Sequence, residues 1–253
     1  IVPVYNGRCF ALLPHMNNLF DSVIAAKIPG VYMIEELIEF HERLIEATGM
    51  VNGEIYTQIT RGSGMYGLAF PEMSIPHLTM FAVPTDREAL DAKREKGVNV
   101  ITEEDIRWQH CDLNSLNRMP EVMARQKAFI SNAFDALFVR EDKITESTES
   151  SFVIYKDGIL WTHPENNMIH KNITRRLLKE RLAPDMDLQI MERSFTKDFA
   201  LQAEEAFLCG PRCEFMPVTK IDRGFINEGK TGQLVKRLQA AYRGFVAQEC
   251  PEK

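Results

Sequence analysis

A glycine-closed turn, Lys156-Asp157-Gly158, lies between two apolar runs, residues 152–155 and 159–162. An Asp-Gly pair at this spacing favours the backbone that reverses one strand onto the next, so the stretch predicts a β-hairpin. Asn6-Gly7 gives the same signal inside residues 1–12, which read as strand, turn, strand. Helical periodicity falls between these hairpins. Residues 33–48 bring Leu37, Phe40, Leu44 and Ile45 onto one stripe, and Gly49 follows as a stop. Residues 15–27 read as another helix, with Leu19, Val23 and Ile24 on one face. Strands come first, then strands mixed with helices. That order predicts an α+β chain in two subdomains.

The remaining elements follow the same logic. Residues 55–60 read as a half-buried strand, with Ile55, Thr57 and Ile59 opposite Tyr56, Gln58 and Thr60. Residues 77–83 and 98–103 read as strands. The charged stretch between them reads as a surface excursion. It separates an N-terminal α/β subdomain, 1–86, from a C-terminal one, 97–253, with 87–96 as linker. Residues 120–132 read as a helix carrying Val122, Met123 and Phe129, and 174–182 as another. Strands are expected at 136–139 and 206–209. A closing helix over 229–245 should point Leu234, Leu238 and Tyr242 inward. Residues 1–4 have no basic start and do not read as a signal peptide. They read as the second half of a strand, so a preceding segment of that strand is expected.

Composition narrows the function classes. With 253 residues, 45% of them apolar, the chain can build a core without metal or disulfide staples. A net charge of −6 argues against a nucleic-acid partner. No apolar run is long enough for a membrane span. Five cysteines, Cys9, Cys111, Cys209, Cys213 and Cys250, have no regular spacing, which points to reduced thiols and a cytoplasmic protein. Cys209 and Cys213 with His163 or His170 fit no common zinc pattern, so no metal is expected. His110 and Cys111 are chain neighbours and would face opposite sides of a strand.

Several runs, in order, carry a resemblance. They are Val4-Tyr5-Asn6-Gly7, Ile55-Tyr56-Thr57-Gln58-Ile59-Thr60-Arg61-Gly62, Glu104-Asp105-Ile106-Arg107-Trp108, and Cys111-Asp112-Leu113-Asn114-Ser115-Leu116-Asn117. Thr145-Glu146, Lys156-Asp157-Gly158-Ile159-Leu160, Thr162-His163-Pro164-Glu165-Asn166-Asn167-Met168-Ile169 and Asn172-Ile173-Thr174-Arg175 complete the series. Together they resemble the D-amino-acid transaminases, of the class IV (fold type IV) pyridoxal-phosphate family. Branched-chain aminotransferases and aminodeoxychorismate lyases belong to the same class. The resemblance implies a small N-terminal α/β lid, a larger C-terminal barrel-like subdomain and a cofactor between them. It also implies a homodimer and a small amino or keto acid ligand.

That chemistry asks for few protein groups. A lysine amine condenses with the cofactor aldehyde and moves the substrate α-proton. An acid keeps the pyridine nitrogen protonated, and a cup of amides, hydroxyls and an arginine holds the phosphate. The family lysine stands in an Asp-x-Lys-Ser-Leu-Asn motif, and here its place is taken by Asn114. A carboxamide is neither a nucleophilic amine nor a base near neutral pH. By resemblance, Glu146 is the ring-nitrogen acid, and Ile173 and Thr174 supply the amide and hydroxyl of the cup. Thr174 also suits a helix N-cap.

Other family positions have changed. The phosphate arginine of a His-x-x-Arg-Leu stretch is Asn18 in His15-Met16-Asn17-Asn18-Leu19. The late-loop serine and threonine are Gly210 and Pro211, beside Arg212. The serine cluster is Ser147-Thr148-Glu149-Ser150. The arginine and histidine that take the substrate carboxylate are Tyr66 and Leu68. His170 stands where an apolar residue faces the cofactor. Lys171 and Lys127 read as turn and surface lysines.

Three readings follow. One is a lapsed or repurposed aminotransferase. A second is a cofactor-independent enzyme using Glu146, His170 and Arg212. The third is a working aminotransferase or lyase that uses another lysine.

Overall fold

The computed structural model describes residues 1–30 and 32–252, which divide into two compact units. The first unit runs from Ile1 to Asp86 and regains the chain from Val246 onward. Its elements are β1 (Val2–Tyr5), β2 (Arg8–Cys9), α1 (Leu12–Ala25), α2 (Ile34–Thr48), β3 (Gly53–Thr60) and β4 (His77–Pro84). The expected hairpin over 1–12 forms as β1 against β2, with Tyr5 opposite Arg8. The sheet order is β2-β1-β3-β4, antiparallel throughout.

Helix α2 buries Leu37 and His41. Its start is fixed by the Glu36 carboxylate, which accepts the Met33 amide at 2.8 Å, and its end comes at Gly49 as expected. His41 is a core histidine. One ring nitrogen lies 2.6 Å from the Leu37 carbonyl and the other 2.8 Å from the Thr57 hydroxyl. Burial holds its pKa low, which suits a neutral imidazole donating to one and accepting from the other. In α1, Val23 is buried, but Ile24 is exposed rather than inward.

The second unit, Arg87 to Phe245, carries the larger sheet. In chain order it holds α3 (Arg87–Lys96), β5 (Val98–Glu104), α4 (Met119–Ile130), β6 (Asp135–Arg140), β7 (Lys143–Ser147), β8 (Ser151–Lys156) and β9 (Ile159–Thr162). These are followed by α5 (Ile173–Leu177), a π-helical turn at Leu178–Leu182, α6 (Ala183–Asp185), β10 (Gln189–Glu192), α7 (Lys197–Leu201), β11 (Glu205–Gly210), β12 (Glu214–Ile221), β13 (Gly224–Phe225) and α8 (Gln233–Glu249), whose last residues, from Val246, belong to the first unit. The path is β10-β9-β8-β11-β12-β5-β6-β7, with β13 on β12. β5 runs parallel to β6 and to β12, and β9 to β10; the other pairs are antiparallel.

The hairpin at Asp157-Gly158 forms as expected. Both residues sit at positive φ, 53° and 78°, the two-residue turn whose twist matches its strands. Inward residues of these strands, among them Val100, Leu137, Phe152, Ile154, Leu208 and Met216, form the core. α8 adds Leu234, Leu238 and Tyr242, all buried, with Tyr242 edge-on to Phe215. The helix begins at Gln233 rather than near 229. Its first amides, Leu234 and Val235, donate to the two Glu205 carboxylate oxygens at 2.8 Å each. A Cβ on Gly232 would lie 1.8 Å from the Glu205 carboxyl carbon, so only glycine lets that cap close.

One expectation fails here. Residues 87–96 form α3 rather than an excursion. Arg94 is buried and pairs with Asp91 (2.7 Å) and Glu214 (3.3 Å), while Arg87 reaches Glu214 at 2.7 Å. Those pairs tie the charged helix to β12. On α4, Val122, Met123 and Phe129 are 61%, 53% and 73% exposed. The helix packs instead through Ala124 and Ala128 on Ala136 and Phe138. Its apolar stripe therefore faces away from this chain's own core.

Candidate active site

The site is built on a buried charge network. β7 places Glu146 inside the second unit, next to the pairing shift that β7 makes against β6. The segment after β5 turns back on itself, Ile106 N donating to the Glu104 carbonyl at 3.1 Å and Arg107 N to Asp105 Oδ1 at 3.2 Å, which brings the Asp105 and Arg107 side chains together. Arg107 donates from Nε and Nη2 to the two Asp105 oxygens at 2.9 Å each. Its Nη1 reaches Glu146 Oε1 at 2.5 Å, and Nη2 also meets the Thr145 hydroxyl (3.2 Å) and the Met168 carbonyl (3.1 Å). The guanidinium lies over the Phe138 ring, 4.4 Å from its centroid. Arg140 braces the group from behind, donating to the Arg107 carbonyl at 2.8 Å and pairing with Asp105 at 3.0 Å.

The backbone amide of His170 donates to both Glu146 oxygens at 3.0 Å. Burial pushes the Glu146 carboxyl up to about 6, against the pull of Arg107. Burial acts on Asp105 too, but Arg107 and Arg140 outweigh it and hold that carboxyl low. His170 is held down to about 4 by burial and by the Arg118 charge, so its ring is neutral near pH 7. Two loops are stitched beside this network. Cys111 N donates to the Asn167 carbonyl, and the Asn167 amide group donates to the Gln109 carbonyl, each at 2.8 Å. Asn114 is exposed on the first loop; His170 begins the approach to α5 on the second.

The turn between β7 and β8 is closed by its own side chains. Ser150 N donates to the Ser147 hydroxyl at 3.0 Å, and the Thr148 hydroxyl donates to Asp135 at 2.6 Å. The Ser150 hydroxyl lies 3.2 Å from the Cys213 sulfur. Arg212 pairs with Glu149 at 2.5 Å, so the cation of the late loop is matched by the acid of this turn. Gly210 packs so closely here that a Cβ would lie 2.5 Å from the Ser150 hydroxyl oxygen.

At the start of α5, Ile173 and Thr174 are buried, but the N-cap is Asn172 rather than Thr174. Asn172 Oδ1 accepts the Thr174 amide (2.9 Å) and the Arg175 amide (3.2 Å), and its Nδ2 donates to the Cys209 carbonyl (2.6 Å). Asparagine wins the cap because its side chain spans both the helix start and β11.

Thus Glu146, His170, Ile173 and Thr174 gather in the second unit, near the Asn114 loop. Asn18, Tyr66 and Leu68 belong to the first unit. Asn18 is half-buried on α1, its carbonyl accepting the Ser22 hydroxyl at 2.9 Å. Tyr66 and Leu68 are fully exposed between β3 and β4. Lys127 is exposed and paired with Glu103 at 2.5 Å; Lys171 is half-buried. Sequence reasoning did not assign roles to Asp105, Arg107, Arg118 or Asn172. The Asp-x-Arg spacing was the available signal for the first two. Among the described residues, no group of three or more His, Cys, Asp or Glu is placed to hold a metal, and no helix is long and apolar enough to cross a membrane.

Comparison with known proteins agrees with this architecture. The amino-transferase class IV family profile matches residues 1–221. A D-alanine aminotransferase of Staphylococcus epidermidis is 36% identical over 246 residues, covering 97% of this chain and 86% of the relative. The branched-chain amino acid aminotransferase of Thermobaculum terrenum, solved in its PLP form, superposes with a TM-score of 0.88 at 22% identity, covering 98% of this chain and 83% of that one. A putative 4-amino-4-deoxychorismate lyase from Legionella pneumophila gives 0.87 at 20% identity, covering 96% and 89%. The chain belongs to the class IV aminotransferase family and has the fold of the fold type IV aminotransferases.

Proposed function

We propose that this chain is a lapsed class IV aminotransferase. It keeps the family's pocket acid but has lost the lysine that makes the pocket a transaminase. The observation that carries the reading is Asn114 in the Asp112-Leu113-Asn114-Ser115-Leu116-Asn117 run. No amine stands at that position to condense with an aldehyde or to shuttle a proton. The surroundings support it. The hydroxyls of the 147–150 turn have partners inside the protein, Arg212 is matched by Glu149, and two α5 amides are taken by Asn172. The residues present therefore do not fit a covalently held pyridoxal phosphate.

A small amino or keto acid is the ligand that the family resemblance points to, bound rather than turned over. A homodimer is the assembly we propose. Its support is the apolar face of α4, where Val122, Met123 and Phe129 lie exposed in company with Met119 and Ile130. The irregularly spaced cysteines fit a cytoplasmic protein. A cofactor-independent enzyme is less well supported, because Glu146 already accepts from Arg107 and the His170 amide, and Arg212 is tied to Glu149.

Turnover tests this directly. With D-alanine, 2-oxoglutarate and added pyridoxal phosphate, the purified protein should form no pyruvate above the enzyme-free rate. Cofactor-dependent pyruvate formation, proportional to protein, would overturn the proposal.

A further inference from the structure

Arg118 is the N-cap of α4. Its amide donates to the Leu116 carbonyl at 2.8 Å and its carbonyl accepts the Val122 amide at 3.0 Å, which fixes its backbone. The side chain reaches the 147–150 turn, where Nη2 donates to the Thr148 carbonyl at 2.7 Å. It is half-buried. Arg87, Arg94, Arg107, Arg125, Arg140 and Arg175, the other arginines of this unit that are not solvent-exposed, each have a carboxylate partner. Among the described residues, Arg118 has none.

One carbonyl satisfies one of its five donors and none of its charge. A guanidinium drawn partly out of water favours an anion opposite it, and its planar fork matches the oxygens of a carboxylate or phosphate. The acids around the turn that it reaches are already matched. Glu149 is matched by Arg212, Glu146 by Arg107, and Asp135 by Arg125 and the Thr148 hydroxyl. His170, close enough to be held low by the Arg118 charge, is neutral and offers an incoming anion no opposing charge.

We propose that Arg118 is the anion anchor of this site, its guanidinium taking the carboxylate or phosphate group of a small metabolite beside the His170 ring. The inference rests on reading the site as a lapsed class IV pocket, and it names the ligand chemistry that such a pocket would retain.

Calorimetric titration at fixed ionic strength tests it, with inorganic phosphate and 2-oxoglutarate as probes. The wild-type protein should bind at least one saturably, and the stronger probe tells phosphate from carboxylate recognition. Arg118→Gln should weaken that binding at least tenfold, and Arg118→Lys by less. Lys127→Gln, which removes an exposed cation from the same helix, should stay within twofold. Should Arg118→Gln fail to fold, the His170 ring signal in the wild-type protein gives a second readout: its titration should move upward when the anion is bound. Absence of binding by the wild type, equal losses in Arg118→Gln and Lys127→Gln, or an unmoved His170 titration would each overturn the proposal. A lysine adduct after borohydride reduction would end the lapsed-enzyme reading yet leave this comparison intact, so the two failures are distinguishable.

Discussion

Replacing Arg107 with methionine is expected to cost the folded protein about 3–5 kcal/mol, because it leaves two buried carboxylates short of their cation. Asp105 and Glu146 are both nearly inaccessible, and Arg107 is the group that touches both. Arg140 would still pair with Asp105, so the larger part of the loss falls on Glu146. Adding Glu146→Gln to Arg107→Met should therefore recover part of the stability, and urea unfolding of the single and double variants measures it. Glu146→Gln alone should be much milder, with a pH signature. The folded carboxyl titrates near 6 and the unfolded one near 4.5. The folded state thus takes its proton first as pH falls. The stability linked to that proton is full below 4.5 and is lost as pH rises through 6. The deficit of Glu146→Gln relative to wild type should shrink between pH 5 and pH 7. A constant deficit would mean that Glu146 titrates alike in both states.

Restoring the amine alone is the second large effect. Asn114→Lys is expected to gain a reducible link to pyridoxal phosphate without becoming an efficient transaminase. By the resemblance to the family, Asn18 takes the place of a phosphate cation and Glu149 that of a hydroxyl. D-alanine turnover by Asn114→Lys should remain about 10²-fold or more below that of Asn114→Lys combined with Asn18→Arg and Glu149→Ser, the scale expected when electrostatic anchors are absent. Gly210 is left out of that combination because any side chain there meets Ser150. Equal rates for the single and triple variants would show that the lysine was the only loss that mattered.

Much of the fold was legible because its hairpins and amphipathic helices follow local rules. Asp157-Gly158 takes the positive φ pair that its turn requires, and α2 stops at Gly49. What escaped were features decided at a distance. β12 carries Pro217, which argues against a central strand, yet its pairing with β5 begins only at Val218 and a bulge follows. α3 looked like a charged excursion because the partner of Arg87 and Arg94, Glu214, lies far along the chain. The apolar residues of α4 were legible in the sequence, but not that they lie exposed, since periodicity does not say what covers a stripe.

At the site, Glu146 was recognisable only through the ordered motifs around it. Nothing in Thr145-Glu146-Ser147 alone marks a buried acid. Arg107, 39 positions away in the chain, makes its burial tolerable. Arg118 carried no sequence signal, because an arginine becomes notable only when its surroundings leave it unpaired.

Incubation with pyridoxal phosphate, borohydride reduction and peptide mapping by mass decide whether any lysine of this chain holds the cofactor covalently. The predicted result is unmodified chain, with no stoichiometric pyridoxyl adduct on any lysine. A stoichiometric adduct on one lysine, Lys171 or Lys127 included, would contradict the account and show that the pocket still holds its cofactor covalently.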